Sequence, residues 1–312
     1  MTTETPDLLS DEARARTVAK AERRDRWSRR LPMLPALLFT IVVTQVPFVI
    51  ALWYSLNNWE FLKPGSFEFV GLSNFTQLWS NEFFREAAWN TAVMTLGTVI
   101  ISTVLALILA VLLDRKFFGQ GFVRTLLITP FLIMPVAASL VWRNGFLDAT
   151  YGIFNYFLDV LGFDSIGFTS KYPLFSVILV LVWQWTPFLM LILLAGLQSQ
   201  DTSILEAAKV DGASARATFF QITLPHLRSY IELGALLSSI YLLQTFDTVD
   251  QLVGGASGAR NIPYFVYQRS IGGGWRFGEA SAYGIIVVIA SIILANIALR
   301  VISNLLEGED VT

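Results

Sequence analysis

The sequence predicts an all-α integral membrane protein with six transmembrane helices and both termini in the cytoplasm. Hydrophobic residues make up 54% of the 312-residue chain and charged residues only 15%, whereas a soluble domain carries about 25% charged residues. The apolar residues gather in six continuous runs, each close to the roughly 20 residues that cross a bilayer as a helix. Lysine and arginine residues concentrate in the segments that would share one side of the membrane.

The six predicted spans follow a polar N-terminal segment. They are continuous rather than alternating, which favours helices over the strands of a membrane barrel. In chain order they cover Met33–Leu56, Asn90–Leu113, Thr125–Trp142, Leu174–Leu197, Tyr230–Phe246 and Ser281–Ile302. The predicted organisation is a cytoplasmic tail over 1–32, a six-helix membrane domain over 33–306 and a second cytoplasmic tail over 307–312.

The distribution of basic residues gives the predicted orientation. The N-terminal tail alone holds eight Lys and Arg residues, and its basic region and the apolar run behind it are both too long for a cleaved secretory signal. With this tail inside, the cytoplasmic segments carry 15 Lys and Arg residues and the external segments carry 7. The positive-inside rule therefore places the loop 198–229 in the cytoplasm.

Several of the predicted spans carry helix-breaking proline residues. Pro130 and Pro135 lie in the third span and Pro187 lies in the fourth. Each removes a backbone hydrogen bond and tends to kink a helix. One interpretation is that the kinks only shape helix packing, and the other is that they line a path that opens and closes.

Polar and aromatic residues within two spans predict a solute path. Gln184 and Trp185 lie midway along the fourth span, while Tyr241 and Gln244 lie near the outer end of the fifth, just before Asp247. Aromatic faces beside amide and carboxylate groups suit a polyhydroxylated ligand, because the rings cover C–H faces and the polar groups bind hydroxyls. The alternative is that these aromatic residues form interfacial belts and the glutamines bind neighbouring helices.

Several classes of function lack the residues that they need. The chain has no cysteine and a single histidine, His226, which excludes a multi-histidine or cysteine metal centre. None of its lysines stands in a Walker phosphate loop, no nucleophile–base pair stands out, and a net charge of -2 gives no sign of nucleic-acid binding. We therefore expect neither an enzyme nor a cofactor bound by this chain.

The cytoplasmic segment 206–225 is the most informative part of the sequence. Ser203 and Glu206 fit the capping box that starts a helix, and Asp211 followed by Gly212 predicts its end. A second short helix is predicted over Ser214–Phe220, with Pro225 closing it before the fifth span. Such a helix–turn–helix can enter a groove of another protein, although an ordinary amphipathic surface loop is the alternative.

The spacing of residues in this segment resembles the EAA motif of bacterial ABC importer permeases. The matching residues are Glu206, Ala207, Ala208, Asp211, Gly212, Ile222, Leu224 and Pro225. The resemblance extends to Val70–Phe75, Arg124–Pro130, Phe246-Asp247 and Gly278–Ala282, which are similar to the carbohydrate-uptake branch of the family. Gly254–Gly258 departs from the glycine–proline run that is common there.

The resemblance implies a type I ABC importer transmembrane domain in the bacterial inner membrane. A second permease subunit, giving a heterodimer, would enclose the path together with this chain. Two ATP-binding cassette subunits would use ATP and Mg²⁺ and would each hold one coupling helix, here Glu206–Gly212. An extracytoplasmic solute-binding protein would deliver a sugar or sugar alcohol, and the path would work by alternating access.

Other functions stay open on the sequence alone. Another polar solute, such as glycerol 3-phosphate, fits the same family. A secondary carrier or channel that acts alone, and a membrane scaffold without a path, are hypotheses of different classes. Association with an ATPase separates the importer from the stand-alone carrier.

Overall fold

A computed structural model describes residues 31–78, 80–256 and 258–309. The chain divides into two compact units, Met1–Trp53 and Tyr54–Thr312. The predicted N-terminal tail therefore lies almost wholly outside the described residues, as does the end of the predicted C-terminal tail.

The described residues are mostly helical. A short 3-10 turn over Leu31–Met33 precedes the first helix, and π-helical turns cover Trp142–Phe146 and Phe219–Thr223. The helices, in chain order, are α1 Leu34–Ser55, α2 Ser73–Leu78, α3 Glu82–Leu113, α4 Gln120–Leu132, α5 Pro135–Val141, α6 Ile153–Val160, α7 Phe168–Lys171, α8 Pro173–Gln198, α9 Thr202–Val210, α10 Ala215–Thr218, α11 Leu224–Leu243, α12 Asp247–Val253, α13 Ile262–Arg269 and α14 Phe277–Glu309. Two short strands, β1 Asn57–Asn58 and β2 Glu68–Phe69, pair antiparallel with Asn57 opposite Phe69.

The first unit is described as one apolar helix. Helix α1 coincides with the first predicted span and has a mean hydropathy of 2.2 over its most apolar window, none of which is buried. Pro47 lies inside the helix without ending it. A helix of this length with apolar residues on all sides is suited to lipid or to another membrane helix.

The second unit is built around the pairing of α3 with α8. These two helices pack along much of their length, α11 and α4 pack against them, and α14 packs on α11 and α13. One buried cluster, which includes Met94, Val180 and Leu242, lies farther from the loop 198–229, and a second, which includes Ala110, Met190 and Leu193, lies closer to it. The fourth predicted span corresponds to α8 almost residue for residue.

The third predicted span is not a single helix. Helices α4 and α5 meet at an angle of 100° across Ile133 and Met134, whose backbones are extended. Pro135 starts α5 at a position where its missing N–H costs nothing, whereas Pro187 stays within the unbroken α8. Pro130 and Pro135 predicted a kink in this span, whereas the size of the bend depends on how α4 and α5 pack against the other helices.

The fifth predicted span is a helix, but its bounds and its apolar character differ from the prediction. Helix α11 begins six residues before the predicted Tyr230 and ends three residues before Phe246. Arg228 and Glu232, in its first half, form an exposed ion pair of 2.8 Å. Among the described residues, four helices are long and apolar enough to cross a membrane, or five if the bent α4–α5 pair is one span, and α11 is not one of them.

A glycine allows α8 and α11 to meet closely at the ends that flank the loop 198–229. A Cβ atom at Gly196 would lie 2.7 Å from the ring of Tyr230 and 2.9 Å from Leu227, closer than real Cβ contacts. The same region is joined by hydrogen bonds, since His226 Nε2 lies 3.0 Å from the carbonyl oxygen of Gly196 and Ser199 Oγ lies 2.9 Å from Tyr230 Oη.

We predict that Gly196→Ala destabilises the protein. The added methyl group forces the Tyr230 ring aside, and such overpacking costs about 1–3 kcal/mol, more than alanine gains over glycine in a helix. Gly284→Ala is the matched control, because it lies in α14 with no atom within 4 Å of the added Cβ. Thermal unfolding in detergent should give a lower midpoint for Gly196→Ala than for Gly284→Ala, and equal midpoints would contradict the close packing.

Candidate functional sites

The EAA-like segment folds into a short, exposed helix, α9, whose start differs from the prediction. The N-terminal cap is Asp201, whose carboxylate accepts a 2.8 Å hydrogen bond from the N–H of Ser203. This bond holds the pKa of Asp201 below its ordinary value. The carboxylate cap is therefore complete at neutral pH and is lost as the pH falls through that lowered pKa. The predicted capping box of Ser203 and Glu206 is wrong, because the helix begins earlier and Glu206 lies in its second turn.

The end of α9 follows the prediction. Gly212 adopts a left-handed conformation with φ of 77°. The N–H groups of Gly212 and Ala213 donate to the carbonyl oxygens of Lys209 and Ala208, at 3.1 and 2.9 Å. This pair of bonds is a Schellman motif, which satisfies carbonyls that a helix end otherwise leaves open. Asp211 is the C-terminal cap, as the sequence indicated.

The second half of the loop runs into the next helix. Ser214 caps α10 by accepting a hydrogen bond from the N–H of Ala217. A π-helical turn containing Ile222 then leads into α11, where Leu224 is the first residue and Pro225 lies in the first turn. The prediction that Pro225 closes a separate short helix is wrong, because proline in a first turn needs no N–H partner and so permits the helix to continue.

The exposed side of α9 carries both apolar and acidic groups. Ile204 is 50% exposed and Val210 is 87% exposed. Glu206 and Ala207 face solvent, while Ala208 is buried. Glu206 makes no hydrogen bond or ion pair with the described residues. Its carboxylate therefore does not cap α9 and is available to a partner.

All five residues predicted for the solute path lie around one cavity. Gln184, Trp185, Tyr241, Gln244 and Asp247 line a space of about 260 Å³. Sequence reasoning placed them on two spans, and the fold brings those spans together through the packing of α8 against α11. The whole set of described lining residues is Phe131, Ile133, Pro135, Leu181, Gln184, Trp185, Tyr241, Gln244, Thr245, Phe246, Asp247 and Thr248.

The break between α4 and α5 forms one wall of this cavity. Gln184 is 4% exposed, and its Nε2 donates a 2.9 Å hydrogen bond to the carbonyl oxygen of Ile133. The bond satisfies a backbone group that the broken helix leaves without its usual partner. Sequence reasoning missed Phe131 and Ile133 as lining residues, although the prolines on either side of the break were the available signal.

Aromatic rings and polar groups occupy different parts of the cavity. Trp185 lies between Phe131 and Tyr241, with ring centroids 5.7 and 5.6 Å away. The amide of Gln244 lies 3.3 Å from Ser291 Oγ on α14, at the long end of hydrogen-bond distances. Tyr241 is 63% exposed, so its ring is open to whatever adjoins this face.

The arrangement defines a class of protein. Helices of membrane-spanning length surround a partly aromatic cavity, and an exposed helix lies on the predicted cytoplasmic side, which is the anatomy of a transport subunit. A family model described as the inner membrane component of binding-protein-dependent transport systems matches residues 103–308. The chain belongs to this family, and it is a membrane transport subunit rather than an enzyme.

Individual relatives agree with the family. The chain is 37% identical over 241 residues to the probable ABC transporter permease protein y4oQ of Sinorhizobium fredii, covering 77% of this chain and 78% of that protein. It is 31% identical over 297 residues to the trehalose transport system permease protein SugA of Mycobacterium tuberculosis, covering 92% of this chain and 95% of that protein.

A solved structure supports the fold. A chain of a bacterial alginate ABC transporter, solved in complex with an alginate pentasaccharide-bound periplasmic protein, superposes with a TM-score of 0.72. The match covers 89% of this chain and 94% of that chain at 21% identity, a level at which the likeness shows the fold alone. The predicted fold class, the transmembrane domain of a type I ABC importer, is confirmed.

We predict that Gln184→Ala and Gln244→Ala each raise the solute concentration for half-maximal uptake. Each change removes an amide at the cavity, and one lost hydrogen bond of about 1 kcal/mol corresponds to about a fivefold change. Gln251→Ala is the matched control, because this amide bonds to Asp250 at 2.6 Å and does not line the cavity. Unchanged uptake kinetics in both cavity variants would contradict the solute path.

Proposed function

We propose that this chain is the permease subunit of an ATP-driven importer that carries a sugar or sugar alcohol across the bacterial inner membrane. The observation that carries the proposal is α9, a helix with a cap at each end that projects an unpaired Glu206 and an exposed Val210 from the membrane domain. The chain has no phosphate loop of its own, so its energy has to come through such a contact. ATP and Mg²⁺ would be bound by the partner ATPase and not by this chain.

The family's dependence on a binding protein implies an ATPase and a solute-binding protein as partners. We infer further that two ATPase subunits take part and that a second, related permease pairs with this chain as a heterodimer. The exposed ring of Tyr241 and the apolar α1 are surfaces that such a pairing would cover. The relative SugA is a permease protein of a trehalose transport system, which supports a sugar as the cargo.

The helices beside the coupling loop offer a route for motion. Helix α8 carries Gln184 and Trp185 and ends where the loop begins, while α11 starts where the loop ends and carries Tyr241 near its other end. A displacement of α9 would be passed to both helices, because a helix moves largely as a rigid body. We infer that ATP-driven movement of α9 changes the shape of the cavity and so alternates its access.

The cavity favours a neutral, hydroxylated solute over a phosphate ester. Its described lining holds two amides, hydroxyl groups, aromatic rings and Asp247, but neither lysine nor arginine. Phosphate recognition usually depends on arginine or lysine. This composition supports a sugar or sugar alcohol and argues against glycerol 3-phosphate as the cargo.

We predict that Gly212→Pro abolishes ATP-dependent uptake while the protein still inserts in the membrane. Proline fixes φ near -65°, which is incompatible with the φ of 77° at this position, and it removes the N–H that donates to Lys209. The ends of α9 would be distorted and the contact with the ATPase weakened. Uptake of a sugar and polyol panel into proteoliposomes that contain the whole complex, with ATP inside, measures the effect.

The matched control for this variant is Gly119→Pro. Gly119 also has a left-handed backbone, with φ of 82°, and lies in the cytoplasmic turn between α3 and α4, outside the coupling loop. Uptake by Gly212→Pro equal to that of Gly119→Pro would rule out a specific role for α9. Uptake without any associated ATPase would instead favour a stand-alone carrier.

A further inference from the structure

A second cavity, on the predicted outer face, is lined by positively charged residues, whereas the described lining of the proposed solute cavity carries the negatively charged Asp247. It has a volume of about 490 Å³ and lies between the start of α3 and the end of α13. Its lining includes Arg260, Arg269, Gln268 and the glycine turn 272–274. No carboxylate is among its described lining residues, and it shares no lining residue with the solute cavity.

Arg260 is a cation without a matching anion. Its guanidinium lies over the ring of Phe83, 5.6 Å from the centroid, and its Nε is buried without a hydrogen-bond partner. It forms no ion pair with the described residues. Arg260 as a whole is only partly buried, but a buried N–H without an acceptor has a free-energy cost, which a ligand with an acceptor atom would remove.

Arg269 is only loosely paired. It lies over the ring of Phe265, 5.0 Å from the centroid, and 3.9 Å from Glu279. Glu279 is held more closely by Arg276, at 3.1 Å. The charge of Arg269 therefore remains available to the cavity, and the ring beneath it fixes the position of the guanidinium.

The glycine turn removes the acceptors that would compete for these arginines. The N–H groups of Gly272 and Gly274 donate to the carbonyl oxygens of Tyr267 and Gln268, at 2.8 and 3.0 Å. A Cβ atom at Gly272 or Gly274 would lie within 3 Å of backbone atoms of α13, so this tight return requires glycine. The end of α13 thus presents satisfied carbonyls beside two cationic groups.

The depth of the cavity indicates a ligand from the aqueous side. Phe83 precedes Asn90, the start of the second predicted span, by seven residues, which is about 10 Å along a helix. This distance exceeds the interfacial layer on one side of a bilayer, about 5–8 Å. The described lining also lacks the aliphatic side chains that a lipid tail would pack against.

We propose that this cavity is an anion socket that receives a carboxylate side chain of the solute-binding protein. The inference rests on the proposed function, since only a binding-protein-dependent importer docks such a partner. Arg260 and Arg269 would each donate hydrogen bonds to the carboxylate oxygens, for which the planar guanidinium is well suited. The socket would fix where the partner docks relative to the outer end of α3.

The test uses the complete transporter and its solute-binding protein, with the transporter in phosphatidylcholine nanodiscs. We expect Arg260→Gln and Arg269→Gln each to raise the binding-protein concentration for half-maximal ATPase stimulation about tenfold. Arg260→Lys should recover part of the loss, because the charge is kept. Arg143→Gln is the control, since Arg143 lies on the same face but donates to Gln251 and does not line the socket, and it should behave as the wild type.

Each outcome has a distinct meaning. If a carboxylate occupies the socket, free acetate should compete with the binding protein for it. Replacing chloride by acetate at constant ionic strength should therefore weaken ATPase stimulation more in the wild type than in the variant with both arginines changed to glutamine. If the binding protein stimulates the ATPase activity of the arginine variants as strongly as that of the wild type, the proposed socket is wrong and the proposed function is unaffected. Effects seen only with phosphatidylglycerol would assign the site to a lipid phosphate and overturn the proposal. A wild type that the binding protein does not stimulate would overturn the proposed function as well.

Discussion

The need to satisfy every backbone polar group in hydrocarbon decides where this fold can depart from regular helices. A break such as that between α4 and α5 exposes carbonyl oxygens that lipid cannot bind. The amide of Gln184 donates to one of them, on Ile133. Gln184, which makes the break tolerable, also lines the proposed solute cavity, so one side chain would serve both stability and recognition.

The proposed coupling loop joins α8 and α11, which carry Gln184, Trp185 and Tyr241 of the cavity lining. Gly196 lets α8 and α11 approach at the ends that flank this loop, and the hydrogen bonds of His226 and Tyr230 hold them there. The π-helical turn before α11 avoids a flexible joint between the loop and the helix. The helical turns from Ala215 to Leu243 therefore run without a gap from the loop to the cavity. A rigid-body mechanism requires such a connection.

Composition and the continuous apolar runs predicted most of the fold, because membrane helices are long and uninterrupted in sequence. Local competition explains the failures. Asp201 and Ser203 are both good helix caps, and only the surrounding backbone selects Asp201. Pro225 is read equally well as a helix end or as a first-turn residue. The candidate solute residues were found because polar groups are conspicuous within apolar runs. The outer socket was missed because Arg260 and Arg269 belong to a polar segment in which arginine is unremarkable.

The two cavities divide the charges of the protein in a way that agrees with their proposed roles. A path that must release its solute gains little from fixed cations, and the solute cavity has none among its described lining residues. A docking site gains specificity from charge, because electrostatic complementarity guides encounter and fixes register. Arginines held over Phe83 and Phe265 by cation–π contact keep their positions before a partner arrives. They therefore lose little conformational entropy on binding, which favours a contact that must form and dissolve in every transport cycle.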